Sequence, residues 1–128
     1  MAYINGKEVL FSTKVIGFGN DTDVLKGLIE GSITELVIPE GATKIKLYCF
    51  QYCTSLKKIT IPNSVMSIGM GVVTNCTALE TITFEGKPET INKIALSSNA
   101  TLIVCPWKEG EVEGAPWGAT KATIKYTG

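Results

Sequence analysis

Four cysteines, a row of glutamates and the absence of histidine bound the chemistry open to this chain of 128 residues. Without histidine there is no Ser-His or Cys-His nucleophile, and the commonest general base is gone. Cys49, Cys53, Cys76 and Cys105 contain no CxxC pair. A zinc site would need an uncommon spacing and a carboxylate or Cys105 as fourth ligand. A Cys53–Cys76 disulfide is the stronger alternative, and reduced thiols in an apolar core are the expectation. Glu109, Glu111 and Glu113 stand two apart in a Gly-flanked stretch. Paired carboxylates hydrolyse sugars only when rigidly held, and a solvated loop is the expected setting. Asn20, Asp21 and Asp23 lack the remaining ligands of a calcium loop and read better as a helix cap. Gly17 to Asn20 is too short to cradle a phosphate. The expectation is no catalytic residue, no metal and no cofactor.

Aromatic side chains carry recognition rather than catalysis. Tyr48 and Tyr52 lie four apart and could stack on sugar or peptide; the competing reading packs at least one of them in the core. Trp107 and Trp117 could form a sugar platform, but each sits beside a proline near the end of the chain, and packing is favoured.

Twelve basic and twelve acidic residues cancel, so no basic field exists to hold nucleic acid or an anionic membrane. With 45% hydrophobic and 19% charged residues the chain is globular rather than disordered. It has no apolar run long enough to span a bilayer. The N-terminal MAYINGKEVLF lacks a basic region followed by an apolar core and is not read as a signal peptide.

The elements that would position these residues come from a repeat. Ile33, Leu56, Leu79 and Leu102 recur at a spacing of 23 residues, as do Leu36, Ile59 and Ile82. Further columns are Ile38, Ile61 and Phe84; Ile45, Ile68 and Ile91; and Phe50, Val73 and Leu96. Cys53 and Cys76 share a column that continues as Asn99. Such a period marks a stacked array whose units bury their apolar sides against one another. ITELVI, LKKITI and LETITF open each unit as a strand, with Leu36, Ile38, Ile59, Ile61, Ile82 and Phe84 inward. Pro39 and Pro62 end the first two strands by removing a donor. A second short apolar pair follows, Val65 and Ile68 in the middle unit. Then come tight turns, with a helical form open, around 48–52 and 72–76. The third unit is degenerate: Glu85-Gly86 replaces Ile-Pro, and Pro88 falls in the column of Ala42 and Val65. After Leu102 the pattern is two residues short.

Residues 1–31 precede the array. Asn5-Gly6 between apolar residues predicts a type I′ hairpin. Asp21 or Thr22 caps an expected short helix with Val24, Leu25, Leu28 and Ile29 on one face, ended by Gly31. Residues 103–128 form the other end, with a polar stretch at 108–114, a turn at 115–120 and an alternating strand at 121–126. The expected architecture is a β-rich solenoid, α+β in class: a hairpin and capping helix over 1–31, about three repeats over 32–102, and a C-terminal cap over 103–128.

The segment LKKITIPNSVMSIGMGVVTNCTAL (56–79) and its flanking copies resemble leucine-rich repeats of the BspA-like class. Ile-Pro follows the strand and the cysteine sits three residues before the leucine, which separates this pattern from the usual leucine-rich consensus. The resemblance implies the solenoid fold and a binding rather than catalytic role. The ending, Cys-Pro-Trp (105–107) followed by Ala-Pro-Trp-Gly-Ala-Thr (115–120) and a closing strand, is similar to that of leucine-rich-repeat proteins encoded by bacteriophages and prophages. Cys105 stands where that ending usually has a valine. The first eleven residues resemble the start of small phage tail or baseplate-associated proteins.

These resemblances imply a non-enzymatic adhesion module of a virion, tail-fibre-like, that contacts a bacterial surface polysaccharide or protein and other virion proteins. Its location would then be the virion, or the bacterial cytoplasm before lysis. The alternative is a fragment of a bacterial BspA-like surface adhesin, on the cell surface if a leader preceded it. The binding residues are expected on the outward side of the strands: Glu35, Lys58 and Thr81 in one row, Val37, Thr60 and Thr83 in the next. A strip this short favours avidity over a single tight contact, hence several copies, with a trimer suiting a tail fibre and the Asn5-Gly6 hairpin as the assembly element.

Overall fold

Strict alternation of buried and outward residues makes the strands of this protein. In Lys58–Ile61 and Thr81–Phe84 every second side chain is buried, the pattern of a sheet with one face on a core. The structure, a computed structural model, describes residues 2–9, 15–16 and 31–128. In chain order its strands are β1 (Ala2–Ile4), β2 (Lys7–Val9), β3 (Val15–Ile16), β4 (Glu35–Val37), β5 (Lys44–Ile45), β6 (Lys58–Ile61), β7 (Ser67–Ile68), β8 (Thr81–Phe84), β9 (Thr90–Ile91), β10 (Leu102–Cys105) and β11 (Thr123–Tyr126). They form a seven-stranded sheet, β11-β10-β8-β6-β4-β1-β2, and a four-stranded sheet, β3-β5-β7-β9.

Three successive coils each contribute one strand to each sheet, β4 and β5, β6 and β7, β8 and β9. Residues one period apart pair directly: Leu36 with Ile59 and Ile59 with Ile82 in the larger sheet, Ile45 with Ile68 and Ile68 with Ile91 in the smaller. Coils are therefore stacked in parallel, and like residues bury like residues. The Leu36, Ile59, Ile82 and Ile103 column is at most 2% exposed, and each such side chain contributes about 1.5–3 kcal/mol by burial. Pro39 and Pro62 are buried just beyond their strands, and their carbonyls accept from Ala42 and Val65 to turn the chain. Pro88 is buried in the same column as Ala42 and Val65. Glu85 stands in the column of Pro39 and Pro62 and adds a donor that proline lacks, its N–H bonding the Ile61 carbonyl at 2.9 Å. A Cβ on Gly86 would stand 2.7 Å from the Asn63 Cα, so the close approach requires glycine there.

Asn5 and Gly6, at φ 49° and 79°, make the expected type I′ turn between β1 and β2. The hairpin is spent inside the chain. β1 pairs antiparallel with β4, and Asn5 Oδ1 accepts from the backbone N–H of Thr34 at 2.8 Å and of Glu35 at 3.0 Å. An otherwise open sheet edge is thereby covered. The capping helix, the calcium reading of Asn20, Asp21 and Asp23, and the loop at 17–20 lie outside the described residues.

Three expectations need correction. The described residues contain no helix, so the solenoid is all-β. Segments 46–53 and 69–76 are successive turns in which alternate N–H groups leave the turn for the next coil: Tyr48 to Met70, Phe50 to Val72 and Tyr52 to Thr74. That cross-coil bonding uses up the donors a helix would need. Leu102 does not continue the column of Ile33, Leu56 and Leu79. Ile103 pairs with Ile82 and Leu102 with Thr81, an offset of 21 residues, so Ala100 takes the buried place and Leu102 is half-exposed. The missing two residues fall before the strand, in 97–100, not after it. Asn99 is accordingly exposed and does not continue the buried column of Cys53 and Cys76.

The chain keeps coiling to its end. β11 pairs with β10 in parallel at the same offset of 21, Val112 is buried under Ile91's coil, and Thr123 N–H donates to the Thr101 carbonyl at 2.8 Å. Trp107 and Trp117 close this end. Trp107 is edge-on to Phe84 at 5.1 Å and to Trp117 at 6.1 Å, and both indoles are buried, as expected of packing rather than of a platform. Trp117 Nε1 donates to the Glu113 carbonyl at 2.8 Å, while Trp107 Nε1 is buried without a partner among the described residues.

Candidate functional site: the outward face of the larger sheet

The outward residues of the larger sheet form two straight rows because parallel strands in register align like positions. Glu35, Lys58 and Thr81 stand side by side, and Leu102 and Thr123 extend their row. Val37, Thr60 and Thr83 form the second, extended by Val104 and Lys125 at one end and by Tyr3, opposite Val37, at the other. The six expected residues are therefore brought together on one face. Glu35 and Lys58 are exposed and the other four half-exposed. Tyr3, Leu102, Val104 and Lys125 were missed. Leu102 was assigned inward by a period that breaks just before it, and Tyr3 joins only because the hairpin folds back onto β4.

Chemically the face is nearly neutral. Glu35 lies beside Lys58 across two strands, a pairing that offsets both charges. Threonine and valine fill the middle, β-branched side chains that hold few rotamers and so lose little freedom on contact. Seven strands about 4.8 Å apart make the face roughly 30 Å long. The backbone beneath is hydrogen-bonded on both sides, so the rows are presented without reorganisation.

The acids and thiols do structural work. Glu111 accepts from the Lys108 N–H at 2.7 Å and pairs with Lys87 at 3.2 Å; the first contact, then the second, lowers its pKa. Glu109 and Glu113 are exposed on the same loop. All four cysteines are buried and free. Burial pushes the Cys49 and Cys105 thiols up to about 12. Cys53 donates to Cys76, which raises the Cys53 pKa before burial raises it further. Cys76 in turn donates to the Phe50 carbonyl at 3.0 Å. The bond from Cys53 lowers the Cys76 pKa, while the thiols of Cys49, Cys53 and Cys105, held protonated, are poor nucleophiles. No group of three or more Cys, Asp or Glu able to hold a metal is found among the described residues.

Tyr48 and Tyr52 are both exposed, at 37% and 59%, which corrects the expectation that one is in the core. Their backbones are left-handed, φ 55° and 63°, and the same two places one coil on are Gly71 and Asn75, at φ 63° and 61°. The turn geometry that swings Phe50 and Cys53 inward turns both tyrosines out. Tyr48 lies over Gly71, where a Cβ would come within 2.6 Å of its ring, and its hydroxyl meets Met70 Sδ at 3.2 Å.

A family model described as BspA type leucine rich repeat region (6 copies) matches residues 29–110. The chain belongs to this BspA-type leucine-rich-repeat family. No curated protein and no solved structure matches it. The family is one of protein–protein interaction rather than catalysis, which agrees with buried, protonated thiols and a neutral strip. No helix among the described residues is long and apolar enough to cross a membrane. The BspA-type repeat also accounts for the Ile-Pro step: Pro39 and Pro62 turn the chain from the larger sheet toward the smaller in the first two matched coils.

Proposed function

We propose that this BspA-type module is an adhesion part of a bacteriophage or prophage virion, and that it engages a bacterial surface polysaccharide or protein through Glu35, Val37, Lys58, Thr60, Thr81 and Thr83. The observation that carries the binding role is the strand register, which lays these six residues out as two straight rows on a rigid sheet. The virion setting is supported by the similarity of residues 1–11 to the start of small phage tail or baseplate-associated proteins and of residues 105–126 to the ending of phage-encoded leucine-rich-repeat proteins. The strip covers less than the roughly 800 Å² that each partner buries in a specific interface. Several copies, a trimer in a fibre, supply the difference through avidity.

A second reading, a piece of a bacterial BspA-like surface adhesin, is favoured by the family match alone. Antibody labelling of intact virions against labelling of the bacterial surface separates the two settings. The site is tested with fluorescently labelled protein and bacterial cells. Thr60→Arg and Thr83→Arg, both on the outward face, should abolish cell retention with unchanged unfolding. Retention equal to the parent chain would remove the strip from the reading.

A further inference from the structure

The turns that join the two sheets form a third face, and it is notched. Thr74, Asn75, Cys76 and Thr77 of one coil and Ser97, Ser98 and Asn99 of the next line a cleft of about 210 Å³. It lies where the later loop is two residues shorter than its predecessors, so the stack is incomplete just there. Its volume equals roughly seven waters at about 30 Å³ each, the scale of one small ring rather than of a peptide.

The lining has a single chemistry. Every residue is uncharged, and all but Cys76 carry a hydroxyl or an amide, groups that donate and accept at once. Ser98 and Asn99 are fixed. Ser98 Oγ donates to the Leu96 carbonyl at 3.0 Å, and Asn99 donates to the Thr77 carbonyl at 3.3 Å while accepting from Lys121 at 3.2 Å. The side chains of Thr74, Asn75, Thr77 and Ser97 make no hydrogen bond to another described residue. Their polar groups remain open to a ligand. Tyr52 belongs to the preceding coil, its N–H bonded to the Thr74 carbonyl at 2.9 Å, and is not part of the lining.

We propose that this cleft binds the ring of a neutral pyranose sugar, with Asn75, Thr77 and Ser97 bonding its hydroxyls. A sugar ring matches the lining: it is neutral, and it offers hydroxyls that both donate and accept. A phosphate or carboxylate ligand would find no charged side chain among the lining residues. The inference goes beyond the adhesion reading: it adds a second contact, off the sheet strip, and does not depend on the strip.

The test titrates isotope-labelled protein with glucose, galactose, mannose, rhamnose and N-acetylglucosamine, each alone at millimolar concentration, and follows backbone amides by NMR. Saturable shifts confined to 74–77 and 97–99 with at least one sugar are expected. Asn75→Gly removes the amide at a left-handed position that glycine accepts, and Thr77→Val removes only a hydroxyl. Each should weaken binding about tenfold, the loss of one hydrogen bond to a bound ligand. No shift in the cleft with any of these sugars, or undiminished binding by both variants, overturns the proposal. Thr60→Arg should leave the titration unchanged. In the parent chain, cell retention without any sugar response sinks the cleft and spares the adhesion reading; a sugar response without cell retention does the reverse.

Discussion

Cys53 and Cys76 sit one above the other in adjacent coils, and the hydrogen bond between their thiols raises the Cys53 pKa and lowers that of Cys76. Neither is oxidised, and both are sealed from solvent. The sulfur column fills part of the apolar core. Cys49 and Cys105, whose thiols burial holds protonated, make the fold sensitive to alkali.

Cys49 and Cys105 have thiols raised to about 12 from an ordinary value near 9.0. The unfolded chain ionises them first as pH rises. Their contribution to stability is therefore complete below about pH 9 and is lost between about 9 and about 12, at no more than about 1.4 kcal/mol per pH unit for Cys49 and less for Cys105. Urea unfolding at neutral pH and near pH 10 measures the loss. Cys105→Val, close in volume, should cost less than about 1.5 kcal/mol at neutral pH and show a shallower alkaline slope than the parent. Equal slopes would mean the thiol titrates alike in both states.

Ile59 is 1% exposed between Leu36 and Ile82, while its neighbour Thr60 faces out. Ile59→Ala should destabilise by about 2–5 kcal/mol in chemical denaturation, as for other large-to-small changes in a packed core. Thr60→Ala should stay within about 1 kcal/mol. A loss below about 0.5 kcal/mol at Ile59 would mean that the register is wrong.

The strands were legible because every inward position recurs one period away, so three weak alternations confirm one another. Leu36, Ile59 and Ile82 fix a face that no single six-residue run could fix. The period failed where two residues are lost in 97–100. Ala100 and Leu102 are both apolar, and the wrong one fitted the column. The smaller sheet was visible only as recurring isoleucines, since two-residue strands such as Ser67–Ile68 have no alternation to read. Tyr48 and Tyr52 misled through their spacing of four, a helical signal, at positions whose left-handed backbone excludes a helix. The cleft depends on an absence of chain rather than on a motif, so nothing in the residues announced it.

Left-handed backbone at Tyr52 costs roughly 1 kcal/mol that glycine or asparagine would not incur. Tyr52→Asn reproduces what Asn75 already does one coil away. It should raise stability by about 0.5–1 kcal/mol in urea unfolding. A loss of stability instead would show that the exposed ring contributes packing.

The two indoles of the closing end differ in one hydrogen bond. Trp117 Nε1 has the Glu113 carbonyl, and Trp107 Nε1 has no partner among the described residues. Phenylalanine at either place removes a donor and some volume. At Trp117 it also leaves a carbonyl unpaired, which adds about 1 kcal/mol. Trp117→Phe should therefore destabilise more than Trp107→Phe. Equal losses in thermal and urea unfolding would mean that a bound water already serves Trp107.

Gly69 meets the preceding coil more closely than a side chain permits. A Cβ there would stand 2.6 Å from the Leu47 N and 3.0 Å from its Cα, both backbone atoms that cannot swing aside. The bond from Gly69 N–H to the Ile45 carbonyl, at 2.9 Å, and that from Tyr48 N–H to Met70, at 2.8 Å, hold the two coils at this distance. The backbone of Gly69 is not left-handed, so the barrier to substitution is contact alone. Gly69→Ala must pry the coils apart or break one of these bonds, and should cost about 1–3 kcal/mol. Gly41→Ala is a useful counterpart: nothing lies within 4 Å of its Cβ position, but its φ is 97°. Its penalty comes from conformation and leaves the coil spacing intact. Amide exchange separates the two: Gly69→Ala should speed exchange at Tyr48 and Gly69 itself, while Gly41→Ala should leave Tyr48 protected. Unchanged protection of Tyr48 in Gly69→Ala would mean that the coils are not held together at this contact.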